Sequence, residues 1–83
     1  MDMNMVRPED VQRYIEEGMP CELVRVAGDG QHFEALIVSA EFIGKNKVQQ
    51  HQRVYRALGD RMRAEIHALS MQTYTPEQWA ARG

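Results

Sequence analysis

The chain has a single cysteine, Cys21, among its 83 residues. One thiol cannot close an internal disulfide or build a multi-thiolate metal centre by itself, and its solitude is compatible with a reducing compartment. Long apolar runs are missing too: nothing approaches the ~20 residues of a membrane-spanning helix. Residues 1–7 are polar and lack the apolar core of a secretory leader, so a soluble, cytoplasmic protein that engages no membrane is expected. Catalytic furniture is equally scarce. Cys21 stands beside Glu22 with no histidine near it in sequence, and Glu16–Glu17 reads as helix-surface charge rather than as an acid/base pair. A chain this short forms one domain, expected over residues 1–83, and buries roughly 60–65% of its extended surface. That leaves little depth for a cleft. A non-enzymatic binding protein is therefore expected.

What the chain does contain is unevenly distributed. The formal net charge is −2, yet residues 1–43 carry nine acids against three bases, whereas residues 44–63 carry six bases against one acid. Lys45, Lys47, Arg53, Arg56, Arg61 and Arg63 thus form a basic segment that would suit an anionic partner, nucleic acid or an acidic protein face. The ordinary alternative is a solvated helix surface. Six methionines suggest an adaptable core or contact surface.

Periodicity places the elements. Residues 8–17 begin with proline, carry acids near the positive helix end and space Val11, Tyr14 and Ile15 on one face, which predicts an amphipathic helix. Gly18 is expected to end it in the left-handed conformation. Residues 21–27 and 33–39 flank the turn formers Gly28-Asp29-Gly30 and predict an antiparallel hairpin, with the second, doubly apolar strand at the centre of the sheet. Residues 47–64 predict a long helix with Val48, His51, Tyr55, Leu58 and Met62 inward, and with Gln49, Arg53, Arg56, Asp60 and Arg63 outward. Gly59, costly inside a helix by about 1 kcal/mol, predicts a kink or a close contact. Residues 66–73 predict a third strand, with His67, Leu69 and Met71 on one face, parallel to the second through a crossover. Thr75, Pro76 and Gln78 predict a capped terminal helix whose Trp79 packs back onto the domain. The result is an α+β fold, αββαβα, with a three-stranded mixed sheet and helices on one face.

Two histidines stand where chemistry is feasible. His32 follows the hairpin turn and His67 marks the entry to the third strand; a neutral imidazole binds iron, zinc or copper through a free ring nitrogen. Two such ligands are half of a tetrahedral set, and spacing alone favours an ordinary loop histidine and a hydrogen-bonded strand-edge histidine. His51 reads as structural, and Cys21 as a buried, inert thiol. For nucleic acid, the candidates are Lys45, Lys47, Arg53, Arg56 and Arg63. The expected fold is similar to class II KH modules, which clamp a nucleic-acid backbone with a GxxG loop. Gly44-Lys45-Asn46-Lys47 lacks the second glycine, which counts against RNA.

Taken together, Gly30-x-His32-Phe33, the apolar strand ending at Ser39, Phe42-x-Gly44, Val48-x-x-His51-x-x-Val54-Tyr55, Ile66-His67-Ala68-Leu69 and Tyr74-Thr75-Pro76-Glu77-x-Trp79 resemble the BolA family. The resemblance implies a KH-like αββαβ fold without the GxxG loop. It also implies a heterodimer with a monothiol glutaredoxin, bridged by a [2Fe-2S] cluster. In that arrangement the glutaredoxin cysteine and glutathione supply sulfur, while this chain supplies His67 and, as a member of the histidine-loop type, His32. Cluster trafficking or iron and redox regulation follows, with homodimers also feasible. Some members of the family are DNA-binding transcriptional regulators of stress response and cell morphology, the alternative function for the basic segment.

Overall fold

Pro8 and Gly18 bound the first helix, α1 (Pro8–Gly18), of the computed structural model, which describes residues 6–82. The reading of residues 1–7 as lacking a leader core falls largely outside them. The Arg7 amide donates to Asp10 Oδ2 at 3.0 Å and closes the first turn. Val11 and Ile15 are fully buried, and Tyr14 is half-buried. Gly18 departs from expectation. The glycines with positive φ are Gly30, Gly44 and Gly59, so Gly18 is no left-handed cap. It is the last helical residue, and a Cβ there would stand 2.3 Å from the Ala57 carbonyl oxygen. Glycine is needed because two helix backbones meet.

The sheet is built from β1 (Leu23–Gly28), β2 (Phe33–Val38) and β3 (Leu69–Tyr74) in the order β1-β2-β3. β2 is central as expected, antiparallel to β1 and parallel to β3. Its alternation explains the layering. The row Val24, Ile37 and Thr73 is buried and faces the helices, while the adjacent row carries exposed Arg25 and Gln72 on either side of half-buried Leu36. Val11 and Ile15 of α1 join Phe33, Ile37, Phe42, Val54 and Leu58 in one apolar cluster, each burial being worth roughly 1.5–3 kcal/mol. β3 starts later than residue 66 because Ile66–Ala68 form a 3₁₀ turn. His67 is consequently exposed on that turn, not aligned with Leu69 and Met71 on the inner face.

The second helix, α2 (Lys47–Leu58), is capped reciprocally: Asn46 Oδ1 accepts from the Gln49 amide at 2.9 Å, and Gln49 Oε1 accepts from the Asn46 amide at 2.9 Å. It stops at Leu58 instead of reaching residue 64, because Gly59 adopts φ 60° while its N–H closes onto Tyr55. Open space surrounds Gly59, so backbone conformation and not close packing requires it. Of the expected inward stripe, Leu58 and Met62 are buried, but its first half is rotated. Gln50, Val54 and Leu58 point inward, whereas Val48 and Tyr55 are 65% and 41% exposed and His51 is half-buried.

A buried glutamine on the inner face is tolerated because it is fully bonded. Gln50 Nε2 donates to the Lys45 carbonyl at 2.8 Å, and Gln50 Oε1 accepts from Thr73 Oγ1 at 2.6 Å. Lys47 Nζ reaches the Thr73 carbonyl, which ties the start of α2 to the end of β3. The last helix, α3 (Pro76–Ala81), carries the expected capping box, with Thr75 Oγ1 accepting from the Gln78 amide at 3.1 Å. Trp79 folds back onto Tyr74, ring centroids 5.5 Å apart.

Candidate functional site

Parallel strands begin at the same end of a sheet, and the β2–β3 register sets Phe33 beside Leu69. His32 directly precedes Phe33, and His67 lies two residues before Leu69. Both candidate ligands therefore sit at one end of adjacent strands, whose backbones run about 4.8 Å apart. Both residues are exposed, and neither imidazole has a hydrogen bond or ion pair among the described residues. Their ring nitrogens are free to bind a ligand.

The two histidines are held differently. His67 rides on a 3₁₀ turn that Ala68 fixes by donating to the Glu65 carbonyl at 2.9 Å, immediately before β3. His32 ends the loop after Gly28, where Asp29 Oδ1 accepts from the amides of Gln31 at 2.8 Å and His32 at 3.0 Å. The Asp29 amide in turn donates to the His32 carbonyl at 3.3 Å. Gly30 supplies the left-handed step of this turn at φ 95°, and a Cβ on Gly28 would lie 2.2 Å from the His32 carbonyl oxygen. The amide of His32, then that of Gln31, holds the Asp29 carboxyl below the usual carboxylate range.

Among the described residues no three of His, Cys, Asp and Glu gather into a metal site. Cys21 cannot complete one. It precedes β1, whose Leu23 pairs with Val38 at the far end of the sheet, so a six-residue strand, roughly 17 Å, separates it from the histidines. Its thiol donates to the Met19 carbonyl at 3.5 Å, and burial, followed by the nearby Glu16 carboxylate, pushes it up to about 11. A protonated thiol is a poor nucleophile and a poor ligand. The chain thus offers two imidazoles at one end of the sheet, and any metal centre held there would need its thiolates from elsewhere.

The basic residues do not form the expected continuous outward stripe. Arg53 is half-buried and paired with Glu41 at 3.0 Å, and Lys45 Nζ donates to the Glu41 carbonyl at 2.6 Å. Lys47 is turned onto Thr73 and lies 5.3 Å from the Tyr74 ring. Arg63 falls beyond the end of α2, 3.8 Å from Asp60. Arg56 is exposed with no ion pair among the described residues. Lys47 and the Gly44 turn lie at the Tyr74 end of β3, whereas the histidines lie at the Leu69 end. Lys47 is thus at the opposite end of β3 from the histidines, while α2 runs back towards the histidine end and carries Arg56 with it.

Comparison with known proteins shows the family. The family model described as BolA, BolA-like protein, matches residues 15–78. This chain belongs to the BolA-like family. It is 35% identical over 72 residues to the acid stress protein IbaG of Escherichia coli strain K12, covering 86% of each chain. It is 46% identical over 55 residues to the DNA-binding transcriptional regulator BolA of Haemophilus influenzae, covering 66% of this chain and 53% of that one. Against that regulator the chain therefore matches only about half the relative's length. Among solved structures, the BolA protein homologue from Coxiella burnetii superposes with a TM-score of 0.79 at 42% identity, covering 92% of this chain and 99% of that one.

The family's fold and this chain's agree in the three-stranded mixed sheet and its helices. No helix among the described residues is long and apolar enough to cross a membrane. Two features of the site region were not visible in the sequence pattern: the Asp29 clasp on His32, and the Gln50–Thr73–Lys47 network that anchors the loop before α2. An Asp-Gly-x-His run is a turn signal that could have pointed to the first. The second joins residues distant in sequence and had no such signal.

Proposed function

We propose that this BolA-like chain is a non-enzymatic partner of a monothiol glutaredoxin and supplies His67 and His32 to one iron of a shared [2Fe-2S] cluster. The observation that carries the reading is the β2–β3 register, which brings two exposed, unbonded imidazoles to the same end of neighbouring strands. The cluster supplies one-electron chemistry and a transferable iron–sulfur unit. The chain's own contribution is two neutral nitrogen donors, which bind only while unprotonated, so acid loosens the hold. Glutaredoxin and glutathione thiolates complete the set, since Cys21 stands at the wrong end of the sheet. A role in cluster trafficking or in iron and redox regulation in the cytoplasm follows.

The test is anaerobic reconstitution of the chain with a monothiol glutaredoxin and glutathione, read by visible circular dichroism. A spectrum distinct from that of the glutaredoxin homodimer, lost in His67→Ala and altered in His32→Ala, supports the reading. A spectrum unchanged from that of the homodimer overturns it.

A second reading, DNA-binding regulation, is favoured by the name of the Haemophilus relative and by the free cation Arg56. It predicts affinity that falls steeply with salt and drops in Arg56→Ala while His67→Ala binds normally. Arg56 lies on α2 and His67 on the turn before β3, so the two sets of variants test the readings separately.

A further inference from the structure

We propose that Asp29 is a positioning residue for His32, its carboxylate fixing the β1–β2 loop so that the imidazole stands beside His67. The proposal rests on the two-histidine reading above and adds the residue that makes the loop half of that pair competent.

The hairpin ladder ends at the Gly28–Phe33 pair, leaving residues 29–32 to span the turn. Glycines at 28 and 30 give this stretch wide conformational freedom, which a ligand-bearing loop must lose. The structure removes it at both ends of His32. The amide of His32 is tied to Asp29 Oδ1 at 3.0 Å, and its carbonyl is tied to the Asp29 amide at 3.3 Å. Gln31 adds a third bond to the same carboxylate oxygen at 2.8 Å. The space occupied by the His32 carbonyl is available only because Gly28 has no Cβ.

The Asp29 carboxylate has no cationic partner among the described residues and lies at the surface, so it contributes nothing to the apolar core. Removing it exposes two loop amides that water can satisfy, which leaves the fold intact and releases the loop. His67 needs no equivalent clasp because its turn is continuous with β3.

The experiment uses the isolated chain with Cu²⁺ as the probe, titrated calorimetrically at neutral pH, with amide hydrogen exchange at Gln31 and His32 measured by NMR. Asp29→Ala is expected to weaken copper binding about tenfold, the low end of the loss seen when a group orienting a metal ligand is removed. Asp29→Asn, whose amide oxygen still accepts, retains binding. In a His32→Ala background, Asp29→Ala has no further effect, although Gln31 exchange still accelerates. An equal loss in the His32→Ala background, or histidine-dependent binding indifferent to Asp29→Ala, overturns the positioning role alone. Copper binding unaltered by His32→Ala and His67→Ala overturns the two-histidine reading and the positioning role together.

Discussion

Replacing Gly18 by alanine sets two opposed effects against each other, and the structure decides between them. Helix propensity favours alanine by at most about 1 kcal/mol, and less at a last helical residue, because the gain applies fully only in helix interiors. Against this, the new Cβ would lie 2.3 Å from the Ala57 carbonyl oxygen and 2.7 Å from its carbonyl carbon and Cα. Even a tight contact of 3.0 Å requires α1 and α2 to part by 0.7 Å at this point, and all three neighbours are backbone atoms that cannot rotate away. Overpacking of this kind costs about 1–3 kcal/mol, and the rigidity of the obstacle places it in the upper half of that range. A net loss of about 1–2 kcal/mol is expected. For a domain of this size, each kcal/mol lowers Tm by about 4–8 °C, so the variant should melt about 5–15 °C below the parent. Urea unfolding followed by far-ultraviolet circular dichroism and Trp79 fluorescence gives the free energy directly. Ala57→Gly should not rescue it, since the clash is with the Ala57 backbone. A Gly18→Ala midpoint equal to or above that of the parent would refute the close-approach argument and restore the propensity expectation.

Thr73→Val removes the donor to buried Gln50 Oε1 while keeping the side chain's volume, and should cost about 1–3 kcal/mol in thermal unfolding; stability within a few tenths of the parent's would contradict the network. Cys21 offers a pH test. With its thiol raised from the ordinary 9.0 to about 11, alkylation by iodoacetamide at pH 8 should run about 100-fold slower in the folded chain than in urea. The sign for stability follows: the folded state holds this proton more tightly, so the contribution is present below pH 9.0 and is lost as pH rises towards about 11. Alkylation at equal rates in both states would show the thiol to be freely exposed.

Local signals were legible wherever a side chain answers to its own neighbours in sequence. Thr75, Pro76 and Gln78 announced the cap of α3, Pro8 opened α1, and the Gly28-Asp29-Gly30 run announced the hairpin, all as found. The errors arose where two local patterns competed. On α2, Val48, His51 and Tyr55 recur at three and four residues and Gln50, Val54 and Leu58 at four and four, both helical spacings, and the burial of Gln50 is favourable only because Thr73 and the Lys45 carbonyl meet it from elsewhere in the chain. Gly18 and Gly59 were assigned each other's duties for a related reason. A glycine needed for close approach and one needed for positive φ look alike in sequence, and only the packing of α1 on α2 tells them apart.

By itself, the sequence determined most of the element types and the central place of β2, because hydrophobic period and turn chemistry are local properties, while its motifs pointed to the family and, through that resemblance, to the two histidines as candidate ligands. The tertiary structure alone decided that those histidines lie at the same end of the sheet, that Cys21 lies at the other, and that the basic segment is interrupted by Glu41, Thr73 and the end of α2. The physical reason is that strand register and side-chain pairing join residues tens of positions apart, and no local pattern encodes which partner each will find.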